Sequence, residues 1–222
     1  MDCAAQRAGS EWLPSESPRA LKVMTNTKQA AAKRQGMTQK AEERRKLHFP
    51  QVGDNWLWSR KRASGYTTIP RTLPIIMEGI DSLTKGQPAG HTLFTLWCRA
   101  PDDPLVTIEN PSVLAAEAGF TGERAIDTWR RRMRSLRDLQ FILAAEGASG
   151  EFHYVLLLNP NVVMEMMHLR NAIPHAIYAR FLDRAMDVGA ARELADVRAW
   201  WESEKAAKAA TPPPPPNGEV KT

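Results

Sequence analysis

Arg124, Asp127, Thr128, Arg131, Arg134 and Ser135 are the residues whose types and spacing point most clearly to chemistry. On a helix drawn through residues 122–137, at about 100° per residue, they fall on one face. Ile126, Trp129, Met133 and Leu136 recur at steps of three, four and three on the opposite face and form an apolar stripe. Arg130, Arg132 and Arg137 lie on the flanks. An arginine fork matches guanine O6 and N7 or a phosphate, and threonine and serine hydroxyls bond to either. A major groove about 12 Å wide admits such a helix. The residues expected to touch double-stranded DNA are Thr121, Arg124, Asp127, Thr128, Arg130, Arg131, Arg134 and Ser135. The plainer alternative is a solvated cationic face with an Asp127–Arg131 pair at i,i+4, worth a few tenths of a kcal/mol.

Other chemistry finds little support. Glu165 and His168 stand at the i,i+3 spacing of carboxylate-bridged metal sites, but such a site needs further carboxylates and a second pair. His91, His153 and His175 are isolated, and neither C-x-x-C, H-E-x-x-H nor G-x-x-x-x-G-K-[ST] occurs. Ser149 has no basic partner nearby in sequence, so nothing marks it as a nucleophile. No catalytic residue, metal or cofactor is expected.

The elements that must hold the arginine face can be read on either side of it. Asn110 caps a helix with Pro111 at its first position, and residues 112–118 follow. Gly119 ends this helix in a left-handed conformation, Phe120 points inward, and Thr121 caps the next helix, which opens near Gly122. Residues 141–143 and 152–158 read as strands, with residues 144–150 a hairpin loop somewhat longer than a tight turn.

The run Leu114-Ala115-Ala116-Glu117-Ala118-Gly119-Phe120-Thr121, followed by Trp129, Leu136, Leu139, Phe141 and Ile142, resembles the winged-helix DNA-binding domains of bacterial regulators and plasmid replication initiators. The likeness is to a superfamily and covers about residues 90–158. It implies DNA contact by the outward residues between Thr121 and Ser135, with the 144–150 hairpin as the wing. Two departures stand out: the arginine helix is about a turn longer than usual, and Gln140 stands where a glycine often precedes the wing strand.

The fold class expected is mainly α with a small antiparallel β wing, a winged helix-turn-helix with flanking helices. Residues 1–55 read as a disordered basic arm, with a charged helix near residues 38–47. Residues 56–160 read as the DNA-binding domain with an N-terminal helical extension, order beginning at Trp56 and Trp58. Within it, residues 71–84 form a helix broken by Gly86-Gln87-Pro88-Ala89-Gly90; Leu93, Phe94, Leu96 and Trp97 mark the next helix, and residues 106–108 a short strand. Residues 161–210 read as a helical extension with helices at 162–170, 174–188 and 190–209. Leu194, Val197, Trp200 and Trp201 there serve either a homodimer interface or packing against the same chain. Residues 211–222 are a proline-rich tail, extended and free or a ligand for a proline-reading domain.

Composition agrees with this organisation. The chain has 222 residues, 43% of them hydrophobic, and a net charge of +5. Charge is uneven: residues 19–62 hold twelve basic against three acidic residues, a net +9, so the remainder is acidic. A basic arm adds salt-dependent affinity for DNA through counterion release; otherwise it is a solubilising tail. Cys3 and Cys98 are too few for a disulfide framework, and Cys98 beside Trp97 is expected on a buried face. No apolar run approaches the ~20 residues that span a bilayer, so a cytoplasmic protein without membrane contact is expected. Met24 and Met37 are alternatives to Met1 as the first residue. Transcriptional regulation from a DNA site is the first expectation. Replication initiation or maintenance of a plasmid or mobile element is the second, and a winged-helix scaffold for protein interactions is the third.

Overall fold

The computed structural model describes residues 27–210, Asp102 excepted. The proline-rich tail, Cys3 and Met24 lie outside the described residues. The described chain divides into two compact units between Tyr66 and Thr67.

Among the described residues the first unit holds α1 (Thr27–His48) and a 3-10 turn at Asp54–Trp56. The charged helix expected near residues 38–47 is thus longer, reaching back to Thr27 through part of the expected arm, whose residues 1–26 lie outside the described residues. Helix α1 has 22 residues and is polar on every side, so an apolar period could not reveal it. It rests on intrinsic propensity, Ala, Gln, Lys, Arg and Glu being strong helix formers. Glu42 pairs with Lys46 at 2.7 Å and Gln39 with Glu43 at 3.3 Å, one turn apart in each case. Arg45, Lys46 and His48 occupy the last turn, where cations suit the helix dipole. Trp56 and Trp58 are exposed and do not begin a core.

The second unit is mainly helical with a small sheet. Helices α2 (Leu73–Leu83) and α3 (Gly90–Arg99) precede strand β1 (Leu105–Thr107), and α4 (Pro111–Glu117) and α5 (Ala125–Asp138) follow it. Strands β2 (Ile142–Gly147) and β3 (Gly150–Leu157) come next, then α6 (Pro160–Leu169), α7 (His175–Val188) and α8 (Ala191–Ala210). The sheet is antiparallel in the order β1-β3-β2. Val106 faces Val155 across the first pair and Ala144 faces Val155 across the second, so the central strand is held on both edges.

One core joins all of these elements. Ile76 and Ile80 of α2, Leu93 and Leu96 of α3, Trp129, Met133 and Leu136 of α5, and Val155 and Leu157 of β3 are buried together with Met164, Phe181 and Leu194 of the last three helices. Residues 161–210 are therefore part of the same packed unit. Gly90 shows how closely α2 and α3 approach: a Cβ there would stand 2.8 Å from the Met77 carbonyl oxygen. The Gly90 N–H donates to Asp81 at 2.7 Å across the same connection. Cys98 is exposed, a correction to its expected burial. Leu194 and Val197, read as one option for a dimer surface, are buried within the chain, with α8 packed on α6 and α7.

The hairpin is tighter than residues 144–150 as a loop would give. β2 runs on to Gly147, which pairs with Gly150, leaving only Ala148 and Ser149 in the turn. Gly150 adopts φ 106°, a conformation a side chain would resist. A bulge between Ala145 and Gly147 bends the strand into this turn. Ser149 Oγ donates to the Ile108 carbonyl, and His153 Nδ1 lies 2.9 Å from that Oγ, a correction to the expectation that Ser149 has no basic partner nearby. The turn is thereby tied to the residue that follows β1.

Candidate nucleic-acid interface

Helix α4 begins as its residues dictate. Asn110 Oδ1 accepts from the Ser112 N–H at 3.0 Å with Pro111 in the first turn. It ends in a Schellman motif: the Gly119 N–H donates to Ala116 O at 3.0 Å and the Phe120 N–H to Ala115 O at 2.9 Å. Gly119 supplies the left-handed conformation at φ 84°.

The connection to α5 is longer than expected. Gly122 also has φ 84°, and α5 opens only at Ala125 with Arg124 at its cap and no side-chain capping bond. Thr121 therefore does not cap this helix. A second left-handed residue turns the chain once more before the helix can start. Thr121 and Arg124, both exposed, are presented by this connection and not by the helix.

Along α5 the apolar stripe is buried at Trp129, Met133 and Leu136, while Ile126 is half-buried. Trp129 packs edge-on against Phe152 of β3, with ring centroids 6.0 Å apart. These contacts fix the rotation of the helix and turn Asp127, Arg131 and Arg134 outward. Arg131 is exposed, and its Nη2 donates to Thr128 Oγ1 at 3.3 Å. Ser135 Oγ donates to the Arg131 carbonyl at 3.2 Å and is turned back along the helix. Asp127 meets Arg130 at 3.8 Å; the i,i+4 pair with Arg131 does not form.

The C-terminal half of the face is occupied by the chain itself. Glu151, at the start of β3, takes Arg134 in an ion pair and meets Arg137 at 3.6 Å. The Glu151 hydrogen bond raises the pKa of the Arg134 guanidinium further. Arg137 also lies 5.6 Å over the Phe152 ring. Arg132 reaches the other way, donating to Gln87 at 2.8 Å and covering the Phe120 ring at 5.8 Å. Burial, and Arg131 beside it, lower its pKa from the usual guanidinium value. Glu151 and Gln87 carry no signal in the sequence, since each meets its arginine only through the tertiary fold.

Of the eight expected contact residues, Thr121, Arg124, Asp127, Thr128, Arg130 and Arg131 thus gather at the N-terminal end of α5 and the connection before it. Arg134 and Ser135 form internal contacts. What this end can do is present three guanidinium groups and two hydroxyls, on the helix and on the connection before it, with one carboxylate among them.

The remaining titratable groups have structural partners. Glu165 is fully buried and accepts from Tyr178 at 2.7 Å and from Arg198 at 2.7 and 3.2 Å. His168 stacks on Tyr178 with centroids 3.6 Å apart, so the Glu165–His168 spacing serves packing. Among the described residues no group of three or more His, Cys, Asp or Glu residues is placed to hold a metal. No helix among them is long and apolar enough to cross a membrane. Comparison with protein-family models, with curated proteins and with solved structures finds no match.

Proposed function

We propose that this chain is a double-stranded DNA-binding protein of the winged helix-turn-helix type, and that it acts as a transcriptional regulator. The observation that carries the reading is the orientation of α5. Trp129, Met133 and Leu136 anchor it in the core, and its first two turns direct Arg131 and Thr128 outward, next to Arg124. The element order supports it: helix, strand, two helices joined by a left-handed glycine turn, then a two-stranded hairpin closing a β1-β3-β2 sheet. In that arrangement α5 enters the major groove, Arg124 and Arg131 read base edges or hold phosphates, and the Ala148-Ser149 turn is the tip of the wing.

The test starts from a duplex recovered by binding selection with the full chain. Its affinity is measured at two salt concentrations for the wild type and for Arg124→Ala/Arg131→Ala. Loss of a bidentate base contact costs about 1–3 kcal/mol and relaxes preference at one position. Loss of a phosphate contact weakens all sequences alike and lowers the salt slope by about one. Unchanged affinity in the folded variant would remove the DNA-reading assignment and favour a scaffold. Bound sites mapped across a genome separate promoters from the repeats of a replication origin.

A further inference from the structure

The stretch between Asp54 and Tyr66 exposes its largest side chains. Trp56 and Trp58 are 87% and 71% exposed. Exposure alternates along the run: Trp56, Trp58 and Arg60 face solvent, while Leu57 and Ser59 are half-buried. Leu57 between the two indoles is extended, φ −100° and ψ 129°; Trp56 closes the 3-10 turn before it, and residues 60–62 turn back on the Ser59 carbonyl. Residues 56–60 thus form a short strip that exposes two indoles and a guanidinium. Tyr66 braces it: Trp58 meets the Tyr66 ring edge-on at 6.0 Å, and Arg60 lies 5.4 Å from the same ring centroid and donates to its hydroxyl at 3.2 Å. Phe49, just beyond α1, adds another exposed ring in this unit.

The charge around the strip is predominantly positive. Arg44, Arg45, Lys46, Arg60, Lys61 and Arg62 stand against Glu42, Glu43 and Asp54 between residues 42 and 66; Glu42 is taken up by Lys46 at 2.7 Å and Asp54 by Arg45 at 3.2 Å. A complementary occupant is a polyanion that also offers flat apolar faces at short intervals. Duplex DNA supplies the phosphates but keeps its base faces inside the stack. An anionic membrane supplies charge, but its acyl boundary is best met by an amphipathic helix, and α1 is polar all round. A single strand supplies both phosphates and open base faces. We propose that Trp56 and Trp58, with Arg60, Lys61 and Arg62, form a stacking platform for unpaired bases of single-stranded nucleic acid, a site built from other residues than those of α5 and independent of that reading.

The test uses the full chain and labelled probes: an oligothymidylate, an oligouridylate of the same length, a blunt duplex, and phosphatidylserine-containing vesicles. Both single strands are expected to bind, their ratio telling DNA from RNA. Trp56→Ala/Trp58→Ala, with both side chains in solvent, is expected to keep its melting temperature and lose at least about tenfold in single-strand affinity. Duplex affinity is expected to change less than about twofold, which separates this site from α5. Trp56→Phe/Trp58→Phe retains most single-strand binding because a ring remains to stack, whereas Trp56→Leu/Trp58→Leu does not. Lys61→Glu weakens single-strand binding and flattens its salt dependence. The proposal is overturned by unchanged single-strand affinity in the Ala variant, by equal loss on the duplex, by full rescue with Leu, by absent single-strand binding in the wild type, or by tryptophan dependence seen only with vesicles.

Discussion

Gly147 lies flat against the imidazole of His153, so that a Cβ on Gly147 would stand 2.3 Å from His153 Cδ2 and 2.9 Å from His153 Cβ. His153 is itself buried, with Nδ1 3.1 Å from the Ile108 carbonyl oxygen. The hairpin turn, the buried ring and the end of β1 therefore form one packed corner.

Gly147→Ala should destabilise the second unit by about 1–3 kcal/mol, since the ring has a fixed Cβ and no room to retreat. Chemical denaturation measures this. Removing the ring as well, in Gly147→Ala/His153→Ala, should give less than the sum of the two single losses. Additive losses would show that the contact is not the cause.

Gln140 has φ 66° and completes the Schellman motif that ends α5. Its N–H donates to Arg137 O and the Phe141 N–H to Leu136 O, each at 2.9 Å. A left-handed conformation costs a side-chain-bearing residue about 1–2 kcal/mol that glycine escapes. Part of this is offset by the larger entropy of unfolded glycine and by the lost Arg170–Gln140 bond at 3.3 Å. Gln140→Gly should therefore raise the melting temperature. Gln140→Val, β-branched at the same φ, should lower it.

Arg198 holds Glu165 between α8 and α6, with the Tyr178 hydroxyl donating to the carboxylate and accepting from Arg198 at 2.9 Å. Arg198→Met leaves a buried carboxylate short of partners and should cost about 1–3 kcal/mol. The loss should be recovered in part by Glu165→Gln. Hydrogen exchange should show it first in α8. Burial, and then the bond to Glu165, raise the Tyr178 pKa above its ordinary 10.0. The native state then holds a proton that the unfolded chain releases, so this contribution is complete below pH 10 and declines as pH rises through the native value. Alkaline unfolding of Tyr178→Phe should lack this component.

Arg99 at the end of α3 and Glu117 at the end of α4 form a two-armed ion pair, one arm being Nε to Oε2 at 2.7 Å. The hydrogen bond from Arg99 holds the Glu117 carboxyl below its ordinary 4.5. A depressed native pKa gives stability that is present above the unfolded value and is lost as pH falls through the native one. Both side chains are more than 40% exposed, so the pair is worth less than about 1 kcal/mol. Wild type should exceed Glu117→Gln by that small margin at neutral pH, and the margin should close in acid. A margin that persists in acid would assign the effect to packing.

The sequence by itself determined what depends on near neighbours along the chain. The Asn110-Pro111 start of α4, the left-handed Gly119, the buried stripe of α5 and the helices α6 and α7 all follow from caps, turns and a period of 3.6. Gln140 announced no left-handed backbone, since glutamine ordinarily avoids it, and only the structure shows φ 66° there. Helix α1 escaped because it has no apolar face to give a period; its signal is propensity, which is weaker. The delayed start of α5 escaped because Gly122 can sit either in a helix or in a left-handed turn, and only the surrounding packing selects between them.

Tertiary structure decided which cations remain available. Arg134 and Arg131 look alike on a helical projection, yet Glu151 reaches the first from β3 and leaves the second in solvent. It decided as well that Leu194 and Val197 of α8 close this chain's own core, where the sequence allowed a partner equally. The reason is the same in both cases: a charge or an apolar stripe states what a side chain needs, and the residue that meets the need is brought close only by the fold.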